Sequence, residues 1–390
     1  PNVFAVWSNG SPSSGGAGSA TGTGAIAIGS ADANRTIANG QFAIAVGNAA
    51  NATGQSVVAI GSGAKGNGTG ALAVGNDAQA TAANATAVGA GNHDGSGAKA
   101  GAVGASAFGY QANAAGATSI ALGSGTALGT SAIAQGKQLF AVGQNSIAMG
   151  GYDEGGYTYS LSALGLNNAA VMTALGPAAN TTAQTFRSTI AGRYATALGT
   201  SNAVLSGSSV AIGNRISVMN GNVTSTTVTK LSDLDKDTIA YGGSSSSHAV
   251  AIGDTVAIGT SSVRAVSIGA NTKIGNSSGL STVIGGSSSI GNASANSTIV
   301  GGGTVIKDNT TQSIGLGANA TIGTGTAMSG LVAIGTNSTV TADKATAIGF
   351  GANATAANGV ALGANSVAST ANGVVGADVL GTVASKANST

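Results

Sequence analysis

Two short stretches gather residues with chemical reach. In "GGYDEGGYTYS", Gly150 to Ser160, Tyr152, Asp153, Glu154, Tyr157 and Tyr159 fall together, and Glu154 is the sole Glu of the chain. Half of the six Tyr lie within the eight residues from Tyr152 to Tyr159. Tyr pairs broad contact area with a polar tip, so the cluster suits recognition of a partner. The blander reading is an inserted turn whose rings pack over a neighbouring segment. In "TVTKLSDLDKDTIAYGGSSSSH", Asp233, Asp235 and Asp237 alternate, with Lys230 and Lys236 alongside. Alternate carboxylates suit Ca²⁺, but neither the Gly nor the bidentate Glu of an EF-hand loop follows at the required offset, which favours a solvated charged loop.

The remaining candidates for chemistry are sparse. His93 stands beside Asp94 in a Gly-rich turn, and His248 follows a Ser run; neither has the i, i+4 partner of a helical zinc site. The many G-x-G stretches open no helix after a strand, so they read as turns and not as phosphate cradles. Twelve acids in 390 residues indicate no carboxylate pair for glycoside chemistry. We therefore expect no catalytic residue, no metal and no cofactor. A net charge of +2 with scattered Lys and Arg supplies no basic stripe, so nucleic acid is not an expected partner. Cys is absent, excluding a disulfide framework. No long apolar window occurs, so the membrane anchor of a surface protein would lie outside this sequence.

Whatever these residues do, something regular must position them. Gly, at 66 residues, has more than twice its usual share, and a pentapeptide returns as "AIAVG", "VVAIG", "ALAVG", "ATAVG", "SVAIG" and "ATAIG". The closing glycines Gly47, Gly61, Gly75 and Gly89 are 14 residues apart. The same step is read at Gly109 to Gly123, Gly129 to Gly143, Gly199 to Gly213, Gly301 to Gly315 and Gly335 to Gly349 to Gly363. A short period means stacked coils, and 14 residues are too few for helical or leucine-rich repeats. Extended chain of that length traces roughly 46 Å, enough for two short strands and two tight turns. The expected fold is all-β, a parallel β-roll or solenoid with about 14 residues per coil.

Within "SVAIG", Val210 and Ile212 point to one face and Ala211 to the other. Ala suits a thin interior. The Val/Ile face also needs a cover, and the economical cover is another copy of the chain. The other half of each coil, as in "NAANATGQS", alternates Ala with polar residues and reads as a strand with one wet face.

The motifs "NSIAMGG" (Asn145 to Gly151), "SSVAIGN" (Ser208 to Asn214), "TSIALGS" (Thr118 to Ser124) and "GVALGANSVAST" (Gly359 to Thr370) resemble the head repeats of trimeric autotransporter adhesins, over roughly residues 25 to 376. The resemblance implies a left-handed roll and a homotrimer. It also implies display beyond the outer membrane of a Gram-negative bacterium. The implied partners are host matrix proteins of the collagen, fibronectin or laminin class, host cells or abiotic surfaces. No neck signature follows, since the chain ends "GADVLGTVASKANST".

On this reading the chain divides into a lead-in or cap at 1–24, regular repeats at 25–150 and irregular repeats with the Tyr-rich insertion at 151–198. A repeat with a long insertion (about 214–248) occupies 199–253, followed by repeats at 254–376 and a tail at 377–390. The alternative to an adhesin is a solenoid presenting flat Thr ladders to ice or another ordered surface. Repeats are scaffold, so binding is expected at the interruptions, at Tyr152 to Tyr159 and Lys230 to Asp237.

Overall fold

The computed structural model describes residues 4–7, 19–29, 35–92, 95–151, 159–160, 168–175, 179–180, 185–186, 189–219, 229–230, 248–370, 375–377 and 383–386. It is an all-β parallel solenoid. Each pentapeptide forms a short strand, and Ile44–Val46, Val58–Ile60, Leu72–Val74 and Thr86–Val88 pair in parallel one coil after another, with Ala45, Ala59, Ala73 and Ala87 in register. These Ala side chains are fully buried, while Ile44 and Val46 on either side of Ala45 face outward. Period-two alternation thus sends the small residue in and the branched residues out.

A second parallel sheet closes each coil. Asn51, Lys65, Gln79 and Lys99 form its outward column, and Ala52, Gly66, Ala80 and Ala100 its inward one. Between the two sheets lie turns with a left-handed residue at each corner, at Ala49 and Asp77 on one side and Ser56 and Asn84 on the other. The closing glycine is required twice over. Gly47 has φ 124°, and a Cβ there would stand 2.6 Å from the Gly61 carbonyl oxygen of the next coil.

The chain divides into two compact units, Pro1–Ser201 with Val228–Lys236, and Asn202–Thr227 with Asp237–Thr390. In the first unit, Phe4–Trp7 pairs in parallel with Ile26–Gly29 as one more coil strand. The step from coil to coil there is mostly the one that separates Thr53 from Asn67, but Thr86 pairs with Ser106 across a longer step and Ile120 with Ile133 across a shorter one. One long excursion leaves the stack after Gly151. Ile147 pairs with Thr196 and Phe140 with Ile190, so the coils on either side of the departure close upon each other. The excursion itself holds a short helix, Ala169–Leu175, and a three-stranded antiparallel sheet of Tyr159–Ser160, Thr185–Phe186 and Ala179–Asn180. Asn168 caps the helix, its Oδ1 accepting from the Ala170 N–H at 2.9 Å.

The second unit departs from the 14-residue step. Val250, Val266, Thr282, Thr298 and Ile314 are in register at a 16-residue step, the separation that also joins Asn276 to Asn292. The expected step from Gly301 to Gly315 is therefore corrected. Gly315 lies within the strand Ile314–Leu316, opposite Ile299 and Ala333, and the closing glycine after Gly301 is Gly317. Gly315 is small for a packing reason, since a Cβ there would come 2.6 Å from Ile322 Cδ1 and 2.9 Å from Thr304 Cγ2.

The two added residues make a third corner. In these wider coils Ser261, Ser277, Ala293 and Asn309 take left-handed φ in addition to the two corners of the shorter coils. The wider coil encloses larger side chains. Ile258, Ile274, Ile290, Ile306 and Ile322 fill the second-sheet inner column, and Val283 and Ile299 the first. From Val332 onward the 14-residue step returns, and the inner residues of the first sheet are again Ala, at Ala333, Ala347 and Ala361.

Candidate functional site

Of the residues singled out in the sequence, Tyr152, Asp153, Glu154 and Tyr157 lie outside the described residues, as do Asp233, Asp235, Lys236 and Asp237. Tyr159 begins the antiparallel strand opposite Phe186, and Lys230 is exposed. His93 and Asp94 also lie outside the described residues, and His248 is an exposed corner residue with φ 62°. Near the Tyr-rich excursion, the Arg193 guanidinium lies 5.2 Å from the Tyr194 ring centroid and donates to Gln144 Oε1 at 2.9 Å. That geometry braces a turn.

What the fold does bring together is surface. The outward columns of the first sheet are mostly apolar in both units, with Ile44, Val46, Val58 and Ile60 in one and Val266, Ile268, Ile284 and Val300 in the other. These side chains are only partly covered, with Ile60 and Ile284 each 40% exposed and Val300 44%. Thr and Ser interrupt one column, as at Thr86 and Thr282, and Gln135 the other, but a mostly apolar two-column face of this extent marks an interaction surface, because isolated soluble chains keep such patches small. The opposite sheet presents Asn51, Lys65, Gln79, Lys99, Asn113 and Thr126, a polar column.

At the third corner of the wide coils the side chains carry the ladder that the backbone cannot complete. Asn276 Oδ1 accepts from Thr260 N–H, Asn292 Oδ1 from Asn276 N–H and Asp308 Oδ1 from Asn292 N–H, at 2.8 to 2.9 Å. Inside, Ser262, Ser278 and Ser294 accept in the same way from the N–H groups of Ser278, Ser294 and Thr310. Ser278 Oγ in turn donates to the Gly291 carbonyl at 2.6 Å. Two further hydroxyl ladders run through Ser281, Ser297 and Ser313 and through Ser288 and Thr304. Buried backbone donors left over by the extra corner are thereby satisfied. Among the described residues no group of three or more His, Cys, Asp or Glu is placed to hold a metal ion. No described helix is long and apolar enough to cross a membrane.

The YadA head domain repeat matches the chain at residues 38–64, 67–92, 100–126, 332–352 and 354–375. The matched segments fall on the narrower coils of both units, and the wide coils lie outside them. A comparison with curated proteins found no match.

Proposed function

Because the chain belongs to the head domains of trimeric autotransporter adhesins through its YadA head repeats, we propose that it is the attachment head of a homotrimer, joined through the apolar face of the first sheet. Members of this family are exposed at the surface of Gram-negative bacteria, and their heads act by binding and not by catalysis. The observation that carries the reading is the predominance of Ile, Val and Leu in the outward columns of the first sheet, interrupted at single positions such as Thr86, Gln135 and Thr282. In a single chain this face is left partly in water, whereas burial would stabilise at roughly 25 cal/mol per Å² of apolar surface. Three copies around one axis would bury it in a closed cyclic interface. The polar second sheets, the corners and the excursions would then remain outside.

Attachment through such an array is multivalent. Three copies of a weak contact raise the effective concentration of the next one, so no single site needs high affinity. The targets proposed are matrix proteins of the collagen, fibronectin or laminin class, host cells or abiotic surfaces. The ordered-surface alternative needs an unbroken Thr column. The outward column of the wide coils instead reads Val266, Thr282, Thr298, Ile314, which does not favour it.

Light scattering on the purified chain, followed by attachment assays on collagen, fibronectin, laminin, cultured cells and plastic, tests both parts. A mass of three chains and attachment to at least one surface are expected. Ile284→Glu combined with Val300→Glu should dissociate the assembly and weaken attachment with it. A folded monomer in the unmutated chain would sink the shared-face argument.

A further inference from the structure

The outward face of the wide coils is not uniformly neutral. Lys273 pairs with Ser289, Ser289 with Val305, and Lys307 stands two residues beyond Val305 on the same face. Both lysines are exposed. They line one open recess of about 340 Å³ together with Gly275, Gly291, Asn292, Asp308 and Gly325. In the register of this column Lys307 occupies the place that Gly275 and Gly291 hold in the coils below it. The glycines leave the floor of the recess at bare backbone. A Cβ on Gly275 would meet the Asn292 nitrogen at 2.6 Å, and one on Gly291 would meet Asp308 Oδ1, so the floor must stay open for the Asn/Asp ladder to form. The one carboxylate present, Asp308, is turned to that ladder, accepting from Asn292 N–H at 2.8 Å and from Asn292 Nδ2 at 3.4 Å.

We propose that this recess on the second sheet binds an acidic saccharide, its sulfate or carboxylate groups paired with Lys273 and Lys307 and its hydroxyls with the amides and hydroxyls between them. The chemistry favours a sugar over a peptide. An extended peptide binds a sheet by adding a strand, and the strand donors here are already used. Lys273 N donates to the Ser288 carbonyl, Ser289 N to Thr304, Gly291 N to Ile306 and Lys307 N to Ile322. A peptide anchored by its side chains needs apolar pockets, whereas Ile290 and Ile306 are fully buried with their side chains in the core. What remains is a shallow polar trough with two cations, the Ser289 hydroxyl, and the second N–H of the Asn292 and Asn309 amides, whose first is given to Asp308 and to the Gly325 carbonyl, matched to a flat polyhydroxyl chain bearing anions.

The assignment deepens the adhesin reading, on which its purpose rests, but its test is separate because it uses soluble ligand and no surface. Isothermal titration of the full chain with a heparin-derived tetrasaccharide and with a polygalacturonate-derived one distinguishes sulfate from carboxylate as the preferred anion. Binding in either arm is expected, weakening with salt, and lowered about tenfold or more in Lys273→Ala/Lys307→Ala. Lys65→Ala/Lys99→Ala, which removes two exposed lysines from the polar column of the narrow coils, should leave it unchanged. Circular dichroism checks that both variants keep their β signal. Lack of binding in both arms, equal loss in the two double variants, or equally tight binding of a poly-glutamate peptide would each overturn the proposal. Failure of the chain to attach to surfaces while the tetrasaccharide still binds would count against the adhesin reading alone.

Discussion

The coils at Ile44 to Val88 and those at Val250 to Ile322 use the same strand and the same closing glycine, yet they solve different packing problems. The first set closes at a 14-residue step, with two left-handed corners and an interior of fully buried Ala. The second takes a 16-residue step, adds a third left-handed corner and encloses a column of Ile. Widening the coil enlarges the core, but it opens a stretch where backbone donors meet no backbone acceptor. Ser, Thr and Asn side chains close that gap from coil to coil. The narrow coil thus rests on its backbone ladder and small core, and the wide one on a larger apolar core together with side-chain ladders.

Deleting the large side chain of the wide core should have the biggest effect. Ile306→Ala leaves a cavity where no neighbouring coil can collapse, at a cost of roughly 2–5 kcal/mol in chemical denaturation. A loss below about 1 kcal/mol would show that the wide core is slack and the contrast overstated. The reverse change probes the narrow core. Ala59→Leu adds bulk to a fully buried position between Ala45 and Ala73, and overpacking of this size should cost roughly 3 kcal/mol. The same residue tolerated without loss of stability would mean that the narrow coil has room to spare. The smallest effect belongs to the hydroxyl ladder. Ser278→Ala leaves the Ser294 N–H without its acceptor and should cost roughly 1.5 kcal/mol, with faster amide exchange at Ser294. Unchanged exchange there would assign the ladder a passive role.

Much of this fold is legible in the chain. The alternation of Ala with Val or Ile, the closing glycine and the Asn, Asp, Ser and Gly corners are local signals, and most stand where the pattern places them; Gly129 and Gly143, read as closing glycines, instead follow the second-sheet strands Thr126–Ala127 and Phe140–Ala141, and Gly123, Gly136 and Gly150 close those coils. Gly315 shows where such signals mislead. It follows Gly301 at the spacing of the narrow coils and looks like a closing glycine, but it is an inward strand residue kept small by Ile322 and Thr304. The equal and longer steps from Gly253 to Gly269, Gly285 and Gly301 were the available clue. The recess at Lys273 and Lys307 carried no clue of comparable strength. Its residues lie two coils apart in the chain, and neither lysine belongs to a run of charges. The Tyr152 to Tyr159 and Lys230 to Asp237 stretches remain proposals for recognition, resting on composition.

By itself the sequence determined which residues form strands, which face each side chain takes and where the chain must turn. Those properties follow from period-two geometry and from the few residues that accept positive φ. Only the tertiary structure decided how wide each coil is and which residues stack upon one another. Register depends on the number of residues between corners, and the contrast is drawn by the packing: the coils from Ile44 to Val88 close around Ala with two corners, while the coils that add a third enclose the stacked column Ile258 to Ile322.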